Sequence, residues 1–254
     1  FVTVGKGVTS GDFDFIVAAN GPDPDLQRLR RHLRRRQLGE PREYVVGFQT
    51  FRGRRFSIDK RVYITDPELT HLIDLVAARA RAILETEGRP PLVVEFGVGC
   101  GSLAISVKKE VPGARVIGLD LDGDALMVAR ENANIHQVDV WLMESDLFSA
   151  LPGELVPDIV FGDPPWGDEE SLYGEDRPAS HYQAMPPLSA FPPGGITGLH
   201  EAVLVAIAER GWKCDIYLNL GILKTADQER LAAMTLRSRI EVFENSSVLF
   251  CNMV

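Results

Sequence analysis

The sequence predicts an α/β fold: a mostly parallel seven-stranded sheet with an antiparallel C-terminal strand, preceded by a small N-terminal helix and β-hairpin region. Three observations carry this. From Leu92 onward, short apolar runs alternate with helical patterns, as in a parallel sheet covered on both faces. The last two strand-like runs are joined only by Asn245 and Ser246, a link too short for anything but antiparallel neighbours. At 254 residues and 45% hydrophobic, the chain can bury one sizeable core and hardly two.

Residues 1–22, around "FDFIVAAN", show no clear periodicity and are expected to be irregular or weakly helical, while 24–38 suit a helix. "EYVVGFQTF" and "RRFSIDKRVYI" are rich in aromatic and β-branched residues, and predict two strands turning at Gly53. "TDPELTHLIDLVAARARAILE" predicts an amphipathic helix opened by a Thr65 to Glu68 capping box and an early Pro67, with Leu69, Leu72, Ile73, Val76 and Ile83 on one face. After "GRPP" come "LVVEF", a helix from Ser102, "VIGLD", a helix from Asp124, "VWLM", "DIVF", a helix from about Leu199, and "DIYLNL". A helix capped by Thr225 and Gln228 then leads to "RIEVFEN" and "SSVLFCNMV". This divides the chain into a small N-terminal region, 1–64, and a main domain, 65–254, with a long loop at 167–198.

No apolar run approaches the roughly 20 residues needed to cross a bilayer, and the start lacks the pattern of a signal peptide. The expectation is a cytoplasmic protein, monomer or homodimer, with no membrane contact. Its first residue is Phe1 rather than Met, so the natural beginning is expected to lie further upstream. Cys100, Cys214 and Cys251 match neither a zinc site nor a disulfide framework, which predicts reduced thiols and no metal. The net charge of −9 conceals an asymmetry: residues 28–61 carry +9 and the remainder −18. "RLRRHLRRR" has the composition of a nucleic-acid footprint, but the acidic total opposes polyanion binding and favours a solvated or internally paired helix.

"VVEFGVGCGSLAIS" is a strand, a glycine-rich turn and a helix, the arrangement that lets backbone approach a ligand. Glu95, Gly97, Gly99 and Gly101 are spaced unlike the GxGxxG of nicotinamide enzymes, and Asp120 ends the next strand 19 residues after Gly101. A carboxylate there can accept both ribose hydroxyls. Together they predict a nucleoside cofactor without a pyrophosphate, with Leu121 beside the ribose. Ser145, Asp146 and Leu147 follow the third strand, where an adenine would lie; Asp146 suits its amino group and Leu147 its face, although Asp146 is also an ordinary turn or N-cap residue.

From about Tyr44 onward the chain resembles the HemK/PrmC family of S-adenosylmethionine-dependent N-methyltransferases, class I (Rossmann-like) enzymes that modify a glutamine amide in peptide-chain release factors. The likeness rests on "VVGFQTFRGRRFSIDKRVYI", "EFGVGCGSLAIS", "DLDGDALMVARENA", "DLF", "DIVFGDPPW" and "GGITGL". It implies S-adenosylmethionine as cofactor and S-adenosylhomocysteine as product.

The family's Asn-Pro-Pro-Tyr motif corresponds to Asp163-Pro164-Pro165-Trp166. In-line methyl transfer needs the acceptor nitrogen held with its lone pair aimed at the carbon. The Asp163 side chain and the Pro164 carbonyl are placed to accept two N–H groups, and Trp166 offers a face for stacking; a proline-stiffened turn with a packed Trp is the bland alternative. An ionised Asp accepts only, where Asn also donates. A second departure puts Asp66, in "YITDPELT", where the family has arginine, although helix capping would explain Asp66 as well. With Glu169 and neighbouring acids in the 167–198 loop, the site is expected to favour a small cationic substrate, with the guanidino group of free arginine or a related amine as the specific expectation. Asp163, Asp66 and Glu169 are the candidate proton acceptors. Tyr173, His181 and Tyr182 in that loop complete the expected substrate contacts. The alternatives are a release-factor glutamine, a nucleic-acid exocyclic amine, or a non-catalytic binding module.

Overall fold

The computed structural model describes residues 8–165, 183–190, 194–221, 223–235 and 237–252. Its centre is a seven-stranded sheet in the order β5-β4-β3-β6-β7-β9-β8, with β3 Leu92–Phe96, β4 Arg115–Asp120, β5 Trp141–Glu144, β6 Ile159–Gly162, β7 Asp215–Asn219, β8 Arg237–Val242 and β9 Ser247–Asn252. Strands β3 to β7 run parallel, whereas β9 is antiparallel to both β7 and β8. The predicted α/β class, the seven strands and the reversed final strand are all observed.

Alternation along β3 assigns the two faces of the sheet: Val93 joins the core beneath one set of helices, and Val94 joins the core beneath the other. The first face is covered by α4 Thr70–Glu87, α5 Ser102–Glu110 and α6 Gly123–His136. The second is covered by α8 Gly198–Glu209 and α9 Thr225–Ala233. A four-residue helix, α7 Pro187–Ala190, precedes α8. The three cysteines are buried free thiols. Among the described residues no helix is long and apolar enough to cross a membrane.

The N-terminal part is more helical than its sequence suggests. Thr9 and Asp12 form a capping box that starts α1 Ser10–Ala19, in the stretch expected to be irregular or weakly helical. After α2 Leu26–Gln37, "REYVV" is not strand but the short helix α3 Arg42–Val46, which Gly47 ends in the left-handed conformation. The apolar faces of these helices meet in one cluster around Ile16, Leu29, Leu33, Val45 and Val46, so burial on a helical stripe overrides β-propensity here. The hairpin is accordingly shorter, β1 Phe48–Phe51 and β2 Arg54–Ser57, turning through Arg52 and Gly53. Ile58, Val62 and Ile64 are buried in non-strand backbone.

Two expected caps are replaced by other bonds. Thr65 does not cap a helix: its hydroxyl accepts from Gln49 Nε2 at 2.7 Å and lies 2.7 Å from Ser102 Oγ, so the helix opens instead with a 3-10 turn at Pro67–Leu69. Thr225 lies inside α9, and Gln228 reaches back to the Leu223 carbonyl at 2.7 Å.

Strand β6 delivers its last residue into a tight space. A Cβ on Gly162 would stand 2.7 Å from the Phe96 ring and 2.9 Å from the Phe96 carbonyl oxygen. Gly162→Ala is expected to cost about 1–3 kcal/mol through overpacking, seen as a lower denaturant midpoint at unchanged m-value.

Candidate functional site

The site forms where strand order reverses. From β3 the chain crosses to β4 and β5 on one side, then returns to β6 on the other, leaving a crevice at the C-terminal ends of the strands. A cavity of about 390 Å³ opens there. Gly97 and Gly99 of the glycine turn, Asp120, Leu121, Ser145, Asp146, Leu147, Asp163 and Pro164 all line it, as do Glu95 and Asp66, whereas Gly101 packs behind the turn. Thus residues spread over nearly a hundred positions converge on one space.

The turn from β3 to α5 is built for close approach. Gly97, Gly99 and Gly101 all have positive φ. At Gly101 a Cβ would also press within 3.1 Å of Ile105 and 3.3 Å of Ala129, so both backbone and packing require glycine there. The Gly99 amide donates to Asp120 Oδ2 at 2.8 Å, and the Asp122 amide donates to Oδ1 at 3.0 Å. These bonds orient the carboxylate, which retains lone pairs for further donors. Burial pushes the Asp120 pKa up, partly offset by the two amides. Ser145 serves as a support beside it: its amide donates to the Asp120 carbonyl at 2.8 Å and its hydroxyl accepts from the Ala150 amide at 3.1 Å. Leu147 holds a left-handed φ of 47°, a strained conformation at the cavity wall.

Glu95 carries the most telling polar atom. Its side chain is buried, it lines the cavity, and its Oε2 has no hydrogen-bond partner among the described residues. Burial, and then the negative charges of Asp120 and Asp163, drive its pKa well above the usual carboxylate range. An orphaned buried carboxyl oxygen beside an acidic wall suits a cation. S-adenosylmethionine brings an ammonium and a sulfonium, and its ribose diol suits Asp120, so the residues present fit that cofactor. Arg61 is the one cationic residue lining the cavity among the described residues, against Asp66, Glu95, Asp120, Asp122, Asp146 and Asp163.

On the opposite wall Asp163 leaves β6 next to Pro164 and Pro165. Asn219, the last residue of β7, donates from Nδ2 to Asp163 Oδ1 at 2.7 Å. Burial raises the Asp163 pKa to about 7; the Asn219 bond pulls it down and the charge of Asp66 pushes it up. Asp66 is 3.4 Å from the Tyr63 hydroxyl and makes no side-chain cap on the turn that follows it. Trp166, Glu169, Tyr173, His181 and Tyr182 lie outside the described residues. Of the expected 167–198 loop, Pro186, Leu188, Ser189 and Gly198 line the cavity.

Asn219 is not among the residues expected from sequence, although a signal exists: it is a polar residue closing the apolar run "DIYLN", as Asp120 closes "RVIGLD". Gln49 and Thr65 are likewise unexpected as site supports. They bond reciprocally, Thr65 N to Gln49 Oε1 at 2.8 Å, and Gln49 Nε2 reaches Cys100 Sγ at 3.2 Å within the glycine turn.

Asp120→Asn is expected to weaken S-adenosylmethionine binding about tenfold or more, since a hydrogen bond to a charged group is worth about 1.5–3 kcal/mol. Calorimetric titration checks this, and the melting temperature without ligand should stay near that of the parent chain.

Comparison with known proteins places this geometry. Residues 79–173 match the family described as Methyltransferase small domain. The chain is 36% identical over 160 residues to a release factor glutamine methyltransferase of Neisseria gonorrhoeae, covering 61% of this chain and 56% of that one. It is 30% identical over 187 residues to the same-named protein of Chlorobaculum tepidum, covering 72% and 63%. It is 35% identical over 164 residues to a 4-amino-L-phenylalanine/4-methylamino-L-phenylalanine methyltransferase of Streptomyces pristinaespiralis, covering 63% and 53%. The chain therefore spans between about half and two thirds of these relatives' lengths. In fold it is similar to the catalytic domain of hMettl16 solved with an RNA hairpin, at a TM-score of 0.60 and 13% identity over 95% of this chain and 91% of that one. It is also similar to an rRNA methyltransferase (RsmC) of T. thermophilus solved with AdoMet and guanosine, at 0.55 and 18% over 82% of this chain and 50% of that one. Because the matched residues run from α4 through both walls of the cavity to beyond Asp163, the cavity lies in the part of this chain that is similar to the HemK/PrmC-like, S-adenosylmethionine-dependent class I methyltransferases.

Proposed function

We propose that the protein is an N-methyltransferase that moves a methyl group from S-adenosylmethionine to a planar nitrogen. The observation that carries this is the meeting, in one cavity, of the glycine turn and Asp120 with the Asp163-Pro164-Pro165 corner. The cofactor, when bound, supplies an electrophilic methyl group on a sulfonium. Asp120 would hold the ribose hydroxyls, Glu95 would face a cationic group, and Asp146 with Leu147 would bracket the adenine. Asp163 and the Pro164 carbonyl would accept the N–H groups of the acceptor, fixing its plane and turning its lone pair toward the methyl carbon. A largely apolar wall that includes Phe96, Val98, Leu103 and Leu119 keeps water from competing for the methyl group.

For the acceptor, we read a glutamine side-chain amide in a protein of the release-factor class, a reading supported by likeness to the glutamine methyltransferases. An amide presents two coplanar N–H groups and matches acceptors of the Asp163 and Pro164 kind. A second reading is a small amine or guanidine, with free arginine as the first compound to try. It is supported by Asp163 and Asp66 at the cavity, and by likeness to the 4-amino-L-phenylalanine methyltransferase. A carboxylate pair suits a group that enters with positive charge, or leaves it behind as a proton.

Labelled S-adenosylmethionine offered with separate pools of release factor, arginine and aromatic amines, and RNA decides the acceptor. Label in release factor is the expected result; label in the amine pool alone would transfer the conclusion to the second reading. Asp163→Ala should lower transfer at least a hundredfold while the dissociation constant for S-adenosylmethionine changes by less than about threefold. Full turnover by this variant would remove Asp163 from the reaction. If an arginine-like cation is the acceptor, Asp66→Arg should raise its KM at least tenfold and leave cofactor binding intact.

A further inference from the structure

We propose that Asp163 takes the proton which the acceptor nitrogen gives up during methyl transfer, and that Asn219 is the positioning residue that reserves one Asp163 oxygen for that transfer. The proposal rests on the N-methyltransferase reading and adds the fate of the proton, a step that an Asn in the same position could not perform.

Methylation of an N–H nitrogen by a sulfonium leaves one proton to be placed. As the nitrogen–carbon bond forms, the sulfur–carbon bond breaks and its electron pair stays on sulfur. The nitrogen must then lose a proton to finish neutral: its N–H bond breaks, the pair stays on nitrogen, and the proton needs an acceptor. An amide oxygen at that position can hold the N–H group but is far too weak a base to accept its proton, whereas a carboxylate can do both.

The geometry divides the two oxygens of Asp163. Asn219 Nδ2 donates to Oδ1 at 2.7 Å, so Oδ1 is committed to the protein and Oδ2 is the oxygen that Asn219 does not engage. Asn219 is itself fixed on three sides. Its carbonyl accepts from His200 Nε2 at 3.0 Å, its Oδ1 accepts from the Gly221 amide at 3.3 Å, and its backbone is paired with Val248 in β9. His200 is fully buried and its pKa is lowered to about 4 by that burial, so it stays neutral and adds no charge to the arrangement. The amide orientation of Asn219 follows from these partners: its oxygen faces an N–H, so its nitrogen faces Asp163.

The charges around Asp163 come from several elements. Asp66, on the segment before α4, faces it and raises its pKa, while Glu95, one residue before the end of β3, interacts with it and has its own pKa raised by burial and by the charges of Asp120 and Asp163. Asp120 ends β4 and Arg61 precedes Asp66 on the same cavity. The outcome is a carboxyl that titrates at about 7, close to the optimum for accepting a proton at neutral pH. Because the pKa is raised, the competent carboxylate is present above that value and is lost as pH falls through it.

The test compares the parent chain with Asp163→Asn, Asn219→Ala and Asp66→Asn. In cofactor-free protein, the Asp163 carboxyl is titrated by carbon NMR of labelled aspartate. Transfer rates are then followed against pH with whichever of the three acceptor pools takes label. In the parent chain the carboxyl midpoint and the acid limb of the rate profile should coincide near neutrality. Asp66→Asn should move both to lower pH, and Asn219→Ala should move both to higher pH; a merely structural role predicts no such opposed pair. Asp163→Asn, which keeps size and an oxygen for the bond from Asn219, should bind S-adenosylmethionine within about threefold of the parent, lose the limb and fall about a hundredfold in rate. An Asp163→Asn variant with parental rate, a midpoint in the ordinary carboxylate range, or shifts in one common direction would each overturn the proposal. Absence of label from every pool would overturn the N-methyltransferase reading, and this proposal with it. Label with a pH-independent rate would overturn this proposal alone.

Discussion

The reversal of strand order at β3 is the constraint from which the rest of the molecule follows. A parallel sheet must send each connection back across a face, and the connections on either side of β3 diverge, so a crevice is left at the strand ends between them. The chemically distinctive residues of the cavity lie along that crevice. Asp120 ends β4, Asp163 follows β6 and Asn219 ends β7, while Glu95 sits one residue before the end of β3. Their side chains meet although their positions in the chain are far apart. The central strands β3 and β6 are largely apolar because both of their faces are buried, so polar residues there are drawn to the strand ends.

The N-terminal hairpin bears on the site through buried polar bonds rather than through the sheet. Asn132 of α6 is fully buried and accepts from the Ser57 amide at 2.7 Å, while its own amide donates to Ser57 O and to Cys100 O, each at 2.9 Å. One side chain therefore ties the end of β2 to the middle of the glycine turn. Gln49 does the same from β1, through Thr65 and Cys100. Buried donors and acceptors satisfied in this way cost a few kcal/mol to break singly, since the partner is left unpaired. The turn that approaches a ligand is thus held from behind by residues of a separate part of the chain, and Asp66 is carried to the cavity on the segment between them.

Much of this is legible in the sequence, and the exceptions share a cause. The apolar runs and the glycine spacing of "EFGVGCG" mark the sheet and the turn because those features are dictated locally, by burial and by positive φ. Asp120 and Asp163 are legible because Asp120 closes a strand and Asp163 directly follows one. The short helix Arg42–Val46 reads as strand because Tyr44, Val45 and Val46 are buried against α1 and α2 and against the 58–64 segment, a contact that no local pattern reveals. Thr65 has the sequence of a cap and the environment of a core hydroxyl, and tertiary bonds to Gln49 and Ser102 decide between them. Asn219 is hidden because its role exists only through Asp163, 56 residues away.

The acidity around "DPPW" divides into two groups with different work. Glu95, Asp120, Asp122 and Asp146 line the cavity beside the glycine turn and the ends of β4 and β5, where the proposed reading puts the nucleoside, so on that reading they carry no information about the acceptor. Only Asp163 and Asp66, among the described residues, remain to describe what is methylated. Two carboxyl groups facing one another raise each other's cost of ionisation, and here the effect on Asp163 is added to that of burial. Such an arrangement is unfavourable for folding, because a buried carboxyl that titrates near neutrality is worth less to the folded chain than one left in water. It is favourable for a site that must hold an N–H group and then remove its proton. On the reading proposed above, a carboxyl at Asp163, where an amide would only orient nitrogen, can also receive the proton that nitrogen gives up, whichever acceptor enters.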